Sequence, residues 1–408
     1  MKKFFSVLII LFLTSFQIII AQWTALNTTF GREIKSIIKH GNSLVAGTVD
    51  GGVYISANSD QNWSQKNSGL TNLKVYSLAS NGNLIAAGTY GNGVFISSDN
   101  GNTWTFSGGS ISVPYIYALA FMGNNLIAGT GGGGFFRSSN NGSSWTNAGG
   151  TTHIVNSIYV TPNYSFIGQG PYAYKSTDNG NTWTTLIGSS STTVKGFAET
   201  PKGSGGTNIF VGALDGVYLS TDNGSTWKKT NSGLSYTNVN AIVATGQNIF
   251  VATESGGVYR SADNGNTWAA INTGLPANTN GRALILSNNV LYLGTSDGVV
   301  WKRNLSDFGI TAVNSLTEEI PSAFELSQNY PNPFNPTTKI QFSIPASQRV
   351  SLKIFDITGR EVANLVDEFL SAGNYSYDFD GSKLSSGIYF YRLLSGNFSE
   401  IRKMALIK

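Results

Sequence analysis

Between residues 23 and 303 the chain alternates short apolar runs with breaks rich in Gly, Asn and Asp. The runs carry β-branched and aromatic residues and are too short for helices, so the alternation predicts strands joined by tight turns. The unit that begins at Val75 shows the plan. Strand a over 75–79 is followed by a turn at Asn81-Gly82, strand b over 84–89, a turn at Gly91-Asn92-Gly93 and strand c over 94–97. A polar turn then leads to strand d over 104–106. That turn is the octapeptide Ser97-Ser98-Asp99-Asn100-Gly101-Asn102-Thr103-Trp104, and it recurs at 176–183, 220–227 and 261–268. Residues 138–145 repeat it with Asn140 in place of the Asp, and 56–63 are a worn copy. Gly tolerates positive φ, and the Asp carboxylate is expected to accept backbone N–H groups two or three residues on. The Trp opens the next strand with a large apolar face to bury.

The Trp residues at this position, Trp23, Trp63, Trp104, Trp145, Trp183, Trp227 and Trp268, are separated by 40, 41, 41, 38, 44 and 41 residues. A period near 41 with four strands in each unit is the pattern of a propeller blade. Strand a starts near Ile34, Val75, Ile116, Val155, Val194, Val239 and Arg282, which predicts seven blades. The last unit lacks a box and a strand d, whereas 23–26 read as a strand d with no blade before it. Pairing the two would close the ring and leave no open sheet edge. A six-bladed ring with an aberrant end is the alternative. The phrase S-x-D-x-G-x-x-W resembles the Asp-box, or BNR, repeat of sialidase-type β-propellers. The resemblance implies structural roles for Asp99, Gly101, Trp104, Asp178, Gly180, Trp183, Asp222, Gly224, Trp227, Asp263, Gly265 and Trp268.

Composition fits an all-β chain with many turns: 48 Gly, 12% aromatic and 12% charged residues among 408. The absence of Cys excludes disulfides, thiolate metal sites and a lipoprotein anchor. Residues 1–21 read as a secretory signal peptide, with Lys2 and Lys3 before an apolar run over 4–20 and Ala21-Gln22 after it. An uncleaved membrane anchor is the alternative, because the run is just long enough to span. No other segment is expected to cross a membrane. The net charge of +4 divides into +2 from the signal, +1 from 22–324 and +1 from 325–408, so no basic field points to nucleic acid.

Residues 22–308 are therefore read as the propeller, 309–324 as a polar linker and 325–408 as a small β-sandwich, with strands expected over 339–344, 349–356, 375–379 and 387–394. Three phrases stand out there: Tyr330-Pro331-Asn332-Pro333-Phe334-Asn335-Pro336, Phe355-Asp356-Ile357-Thr358-Gly359-Arg360, and Ser386-Gly387-Ile388-Tyr389-Phe390-Tyr391-Arg392. The chain ends on a basic and apolar strand over 402–408. These phrases resemble the type A C-terminal sorting domain of the type IX secretion system of Bacteroidetes-like bacteria. The resemblance implies export across both membranes, contact with that secretion machinery, and release from or attachment to the cell surface.

Little in the propeller points to catalysis. The chain has two His residues, His40 in an a–b turn and His153 just before a strand a, on opposite faces, so a metal site or a Ser-His-Asp triad is not expected. The glycines at 131–134 lead into a strand and not a helix, so they are no phosphate loop. Sialidase chemistry requires three converging Arg residues. Of Arg32, Arg137, Arg260, Arg282 and Arg303, both Arg137 and Arg260 lie at the box end of strand c, away from the opposite face. Xyloglucanase-like enzymes pair two such propellers around a cleft, and this chain holds one. Its repeat style also resembles single propellers of the photosystem II assembly-factor type, which bind proteins. No cofactor and no metal is expected.

Positions that stay fixed between blades serve the blade, and those that vary are free to serve a ligand. A small residue recurs in strand a, at Ser36, Ser77, Ala118, Ser157, Gly196, Ala241 and Ala283, where it is expected to let blades approach. The residue before it varies: Lys35, Tyr76, Tyr117, Asn156, Lys195, Asn240 and Arg282. Strand a is innermost, so these seven are expected to ring the channel mouth. The b–c turns of the same face offer Asp50, Tyr90, Gln169, Tyr172, Asp215, Glu254 and Asp297. Lys35 with Asp50, Lys195 with Asp215 and Arg282 with Asp297 are the expected charge pairs within blades. The sequence thus supports a secreted or surface-displayed binding module for a glycan or protein. A polysaccharide hydrolase and a structural or adhesive surface protein are the alternatives.

Overall fold

The computed structural model describes residues 21–407 except 28–29, 59, 162–163, 189–191, 203–205, 311–322, 346–347, 371–372 and 397. The signal-peptide reading and most of the 309–324 linker lie outside the described residues. Seven four-stranded antiparallel sheets form the blades of a propeller, each running a to d in chain order except the last. Strand a spans Ile34–His40, Val75–Asn81, Ile116–Met122, Val155–Val160, Val194–Pro201, Val239–Thr245 and Gly281–Ser287 in blades 1 to 7. In blade 7 the fourth strand is Thr24–Ala25, which pairs with Val300–Asn304 through Thr24 opposite Lys302 and Ala25 opposite Trp301. The N-terminal strand closes the ring, as the complementary deficits at the two ends predict.

Blades pack through one recurrent contact. A Cβ added to the strand-b glycines Gly47, Gly88, Gly129, Gly168, Gly212 and Gly294 would lie 2.2–2.7 Å from the first side chain of the next blade's strand a: Val75, Ile116, Val155, Val194, Val239 or Ile34. Blade 6 reverses the arrangement. Ala252 occupies the glycine position, and the facing residue is Gly281, whose added Cβ would lie 2.8 Å from the Ala252 methyl. Since buried neighbours already touch, a side chain on both partners has no room.

The boxes build the a–b side of the ring, here the lower face. In blade 2 the Ser97 hydroxyl donates to Asp99 Oδ1 at 2.7 Å and accepts the Gly101 N–H at 2.8 Å. Asp99 then accepts the Thr103 N–H at 2.9 Å and the Thr103 hydroxyl at 2.6 Å. The N–H reached in blade 2 lies four residues on, beyond the two or three that the sequence suggests, because both Asn100 and Gly101 take positive φ, 58° and 84°. Asp178, Asp222 and Asp263 repeat the same bonds. Asn140 keeps the geometry without a charge, accepting the Ser144 N–H at 2.9 Å and donating to the Ser144 hydroxyl at 2.9 Å. The worn copy of blade 1 is instead a tighter hairpin in which Ser56 faces Trp63 and Asn58 faces Gln61.

The Trp residues fall into two groups. Trp104, Trp145, Trp268 and Trp23 are buried and donate Nε1–H to a carbonyl of the preceding blade, at Lys66, Ser107, Thr230 and Ile271. Trp63, Trp183 and Trp227 are half-buried and donate within their own turns, to Asp60, Gly180 and Gly224. A second repeated phrase, which the sequence reading missed, explains three of the buried ones: Asn67-Ser68-Gly69-Leu70, Asn231-Ser232-Gly233-Leu234 and Asn272-Thr273-Gly274-Leu275. Each Asn accepts the N–H of a strand-c Val, at Val53, Val217 and Val258. The following Ser or Thr carbonyl accepts the backbone N–H of the next blade's Trp, at Trp104, Trp268 and Trp23.

After a short 3-10 turn at Leu305–Phe308, the C-terminal unit is a three-stranded and a four-stranded sheet around one apolar core. Its strands are Glu325–Leu326, Thr337–Ile344, Gln348–Phe355, Glu361–Leu370, Gly373–Asp380, Gly387–Ser395 and Phe398–Leu406. Glu361–Leu370 was not expected from sequence. It is an edge strand whose pairing with Gln348–Phe355 slips twice, which breaks the alternation that would mark it. The signature phrases form its corners. Asn329 is buried, donating to Thr338 Oγ1 at 2.9 Å and to the Pro331 carbonyl at 3.1 Å, while its own N–H reaches the Tyr391 hydroxyl at 2.8 Å. Asp356 caps its turn by accepting from the Thr358 N–H at 2.9 Å and the Arg360 N–H at 3.1 Å.

Candidate functional site

The candidate site is set by a backbone irregularity at one position of every blade. The pairing of strands a and b slips between Ile34 and Ser36, Val75 and Ser77, Ile116 and Ala118, Val155 and Ser157, Val194 and Gly196, Val239 and Ala241, and Gly281 and Ala283. The residue skipped each time is Lys35, Tyr76, Tyr117, Asn156, Lys195, Asn240 or Arg282. A bulge leaves one residue out of the ladder and re-aims its side chain. Here all seven side chains line a single cavity of about 300 Å³ at the upper mouth of the channel. A cavity of about 390 Å³ beside Ile96, Phe106 and Asn141 has no ionisable residue in its lining.

The cup is divided into three arcs. On blades 2 and 3, Tyr76 stacks on Tyr90 with centroids 5.0 Å apart and meets Tyr117 edge-on at 5.6 Å, and Tyr115 leans on Tyr90 at 4.9 Å. Burial, then the neighbouring Tyr90, raises the pKa of Tyr76 and Tyr117, so both phenols stay protonated at neutral pH. On blades 4 and 5, Lys195 donates to Asn156 Oδ1 at 3.2 Å. Across blades 6, 7 and 1 runs a charge network. Arg282 contacts Glu33 at 2.7 Å and Glu254 at 2.6 Å, Glu33 also holds Lys35 at 2.8 Å, and Asn240 donates to Glu254 at 3.3 Å. Burial alone would raise the Glu254 pKa, but hydrogen bonds from Asn240 and Arg282 and the Arg282 charge outweigh it and hold the carboxyl below its ordinary range.

The expected charge pairs within blades are not formed. Asp50 faces Lys74 at 3.7 Å, Asp215 binds Lys229 at 2.7 Å and the Tyr218 hydroxyl at 2.8 Å, and Asp297 accepts from Thr295. These aspartates thus meet a connection (Lys74), the outer strands c and d (Tyr218, Lys229) and the end of strand b (Thr295). Gln169 is a buried strut that donates to the Thr151 and His153 carbonyls, and Tyr172 packs against His153. Of the turn residues, Tyr90 and Glu254 join the cup's own contacts. The sequence reading missed Glu33 and Tyr115, which belong to a variable set directly before strand a: Glu33, Lys74, Tyr115, Ile154, Thr193, Asn238 and Asn280. Each of their carbonyls accepts an N–H from its b–c turn. The residue before each strand-a start was the available signal.

Six of the seven large apolar side chains exposed on the described propeller, Leu73, Tyr90, Tyr115, Ile154, Leu214 and Tyr236, stand on connections of this upper face; the seventh is Phe106 on an outer strand. His40, by contrast, ends strand a on the lower side and bonds Asn100 at 2.9 Å. Among the described residues no group of three or more His, Cys, Asp or Glu could hold a metal ion, and no helix is long and apolar enough to cross a membrane.

The fold and its tail define a class: a seven-bladed propeller carrying a secretion signal at its C-terminus. Residues 328–408 match the secretion system C-terminal sorting domain. This type IX sorting domain directs the chain to the surface or exterior of a Bacteroidetes-type Gram-negative cell. A search of curated proteins finds no match. Among solved structures, the propeller resembles YCF48 bound to D1 peptide, with TM-score 0.57 and 16% identity over 69% of this chain and 96% of that one. PorZ, a surface component of the type IX secretion system of Porphyromonas gingivalis, matches with TM-score 0.54 and 18% identity over 92% of this chain and 60% of that one. The GH74 xyloglucanase of Xanthomonas campestris matches with TM-score 0.55 and 16% identity over 79% of this chain and 59% of that one. This chain therefore spans about three-fifths of the length of the last two. At these identities the likeness is one of fold.

Proposed function

We propose that the protein is an exported, non-enzymatic binding module that takes a protein or glycan ligand on the upper face of its propeller. The observation that carries this reading is the coincidence on one face of the cup, the tyrosine arc and six of the exposed apolar side chains. Aromatic side chains are enriched where proteins dock, and the tyrosine arc supplies them here. That YCF48 is described as bound to a peptide agrees with the reading. A glycosidase requires a carboxylic acid kept protonated beside a second carboxylate. At the cup, Glu254 is held below its ordinary range, and both Glu254 and Glu33 are tied to Arg282. Replacing Tyr76 and Tyr117 together with Ala is expected to abolish retention on glycan and peptide arrays while leaving the melting temperature nearly unchanged. Loss of the fold, or undiminished retention, would remove the cup from the reading, and hydrolysis of a retained glycan would replace it with the enzyme.

A further inference from the structure

The three arcs of the cup are not chemically balanced. Lys35 and Arg282 share Glu33, and Arg282 has Glu254 as well. Lys195 has no carboxylate within ion-pair reach among the described residues, and its hydrogen bond goes to the neutral Asn156. An ammonium group has three donors and no acceptor, so two of its protons are left for whatever enters the cup. Lys195 is half-buried, and its pKa is lowered by burial and by the charges of Lys35 and Arg282, with the more distant Glu254 opposing the shift. A partly desolvated cation with no carboxylate in direct contact is stabilised by an incoming anion.

We propose, building on the upper-face reading, that the cup receives the free C-terminal carboxylate of a peptide, with Lys195 as its anchor and the Tyr76–Tyr90–Tyr115–Tyr117 arc as the bed for the residues before it. The cavity of about 300 Å³ is at the small end of ligand sites, which suits a chain end better than an inserted loop. The rim favours a peptide over an acidic sugar. Leu73, Ile154 and Leu214 are aliphatic and exposed, and they offer partners for apolar side chains rather than planar faces for sugar rings. The Asn240 side chain lines the same cavity and donates through its amide nitrogen to Glu254 and the Gly281 carbonyl, so its oxygen is the acceptor it has to offer a peptide N–H. Capture of chain termini by oriented polar groups is a known recognition mode, and here the group is a lysine in a channel mouth.

The test uses the full-length exported chain on an array of random octapeptides printed in two forms, with a free C-terminal carboxylate and with a C-terminal amide, beside oligogalacturonates. Retention is expected on a subset of free-acid peptides, falling about tenfold or more on amidation, as for loss of a charge-assisted hydrogen bond. Lys195→Gln should bring the free-acid signal down to the amide level without altering the amide signal or the melting temperature. Equal retention of both forms, lost on Tyr76→Ala with Tyr117→Ala, would overturn the carboxylate anchor and leave the binding face standing. Retention of oligogalacturonates alone would overturn the peptide in favour of an acidic sugar. No retention of any probe would overturn both this inference and the reading beneath it.

Discussion

The two faces of the propeller are built by loops that close the same strands, and they obey opposite rules. On the lower face four aspartates make the same bonds to Ser and Thr partners within their own turns. Each of these carboxylates is satisfied within its own turn, so the same eight residues serve several blades. On the upper face no two blades present the same side chain set, and the partners come from different blades: Arg282 of blade 7 reaches Glu33 of blade 1 and Glu254 of blade 6. Repetition marks what a blade requires to fold, and departure from repetition marks where the ring as a whole acts. Two carboxylates make the contrast quantitative in sign. Glu254 above is lowered by its amide and guanidinium partners. Glu199, toward the lower side, is raised, first by burial, with the Tyr164 hydroxyl at 2.6 Å and Lys175 opposing the shift.

The largest effect is expected from the anchors of the lower half. Trp104→Ala should cost roughly 3–5 kcal/mol, as for a buried Trp, read from urea unfolding of the propeller. Trp183→Ala should cost clearly less, because that ring is half-buried and bonds within its own box. Equal losses would break the division between the two Trp groups. Next comes acid sensitivity. Asp99, Asp178 and Asp222 are lowered from 3.8 to about 2 by their hydrogen bonds, led by those from Thr103, Thr182 and Thr226. A depressed folded pKa gives stability that is present above the unfolded value and lost as pH falls through the folded one. Changing all three to Asn should therefore flatten the decline in melting temperature between about pH 4 and pH 2. The box of Asn140 shows that the amide fits, so an unchanged decline would mean the boxes do not carry it.

The smallest effect tests the lower carboxylate. Glu199 has a folded pKa above its usual 4.5, so its contribution is most favourable below the unfolded value and declines as pH rises through the folded one. Glu199→Gln should raise the melting temperature at neutral pH, with the gain vanishing near pH 4. A loss at neutral pH would show that the ionised carboxylate contributes through Tyr164 and Lys175 more than its burial costs.

Blade number, ring closure and the export tail were legible in the sequence because each is a local pattern repeated or a contiguous phrase. The Asp-Asn-Gly turn specifies its own geometry within eight residues, wherever it stands. The ring of variable residues was legible too, since alignment of the units isolates Lys35 through Arg282. What aims them into one cavity was not: the bulge before each small strand-a residue exists only as a slip between two paired strands. The charge partners were misread for a related reason. Lys35, Lys195 and Arg282 were matched to aspartates of their own blades, but closing the ring puts Arg282 beside Glu33, from the opposite end of the propeller sequence. A periodic sequence determines the blade; only the closed ring decides which blades are neighbours, and so which charges meet.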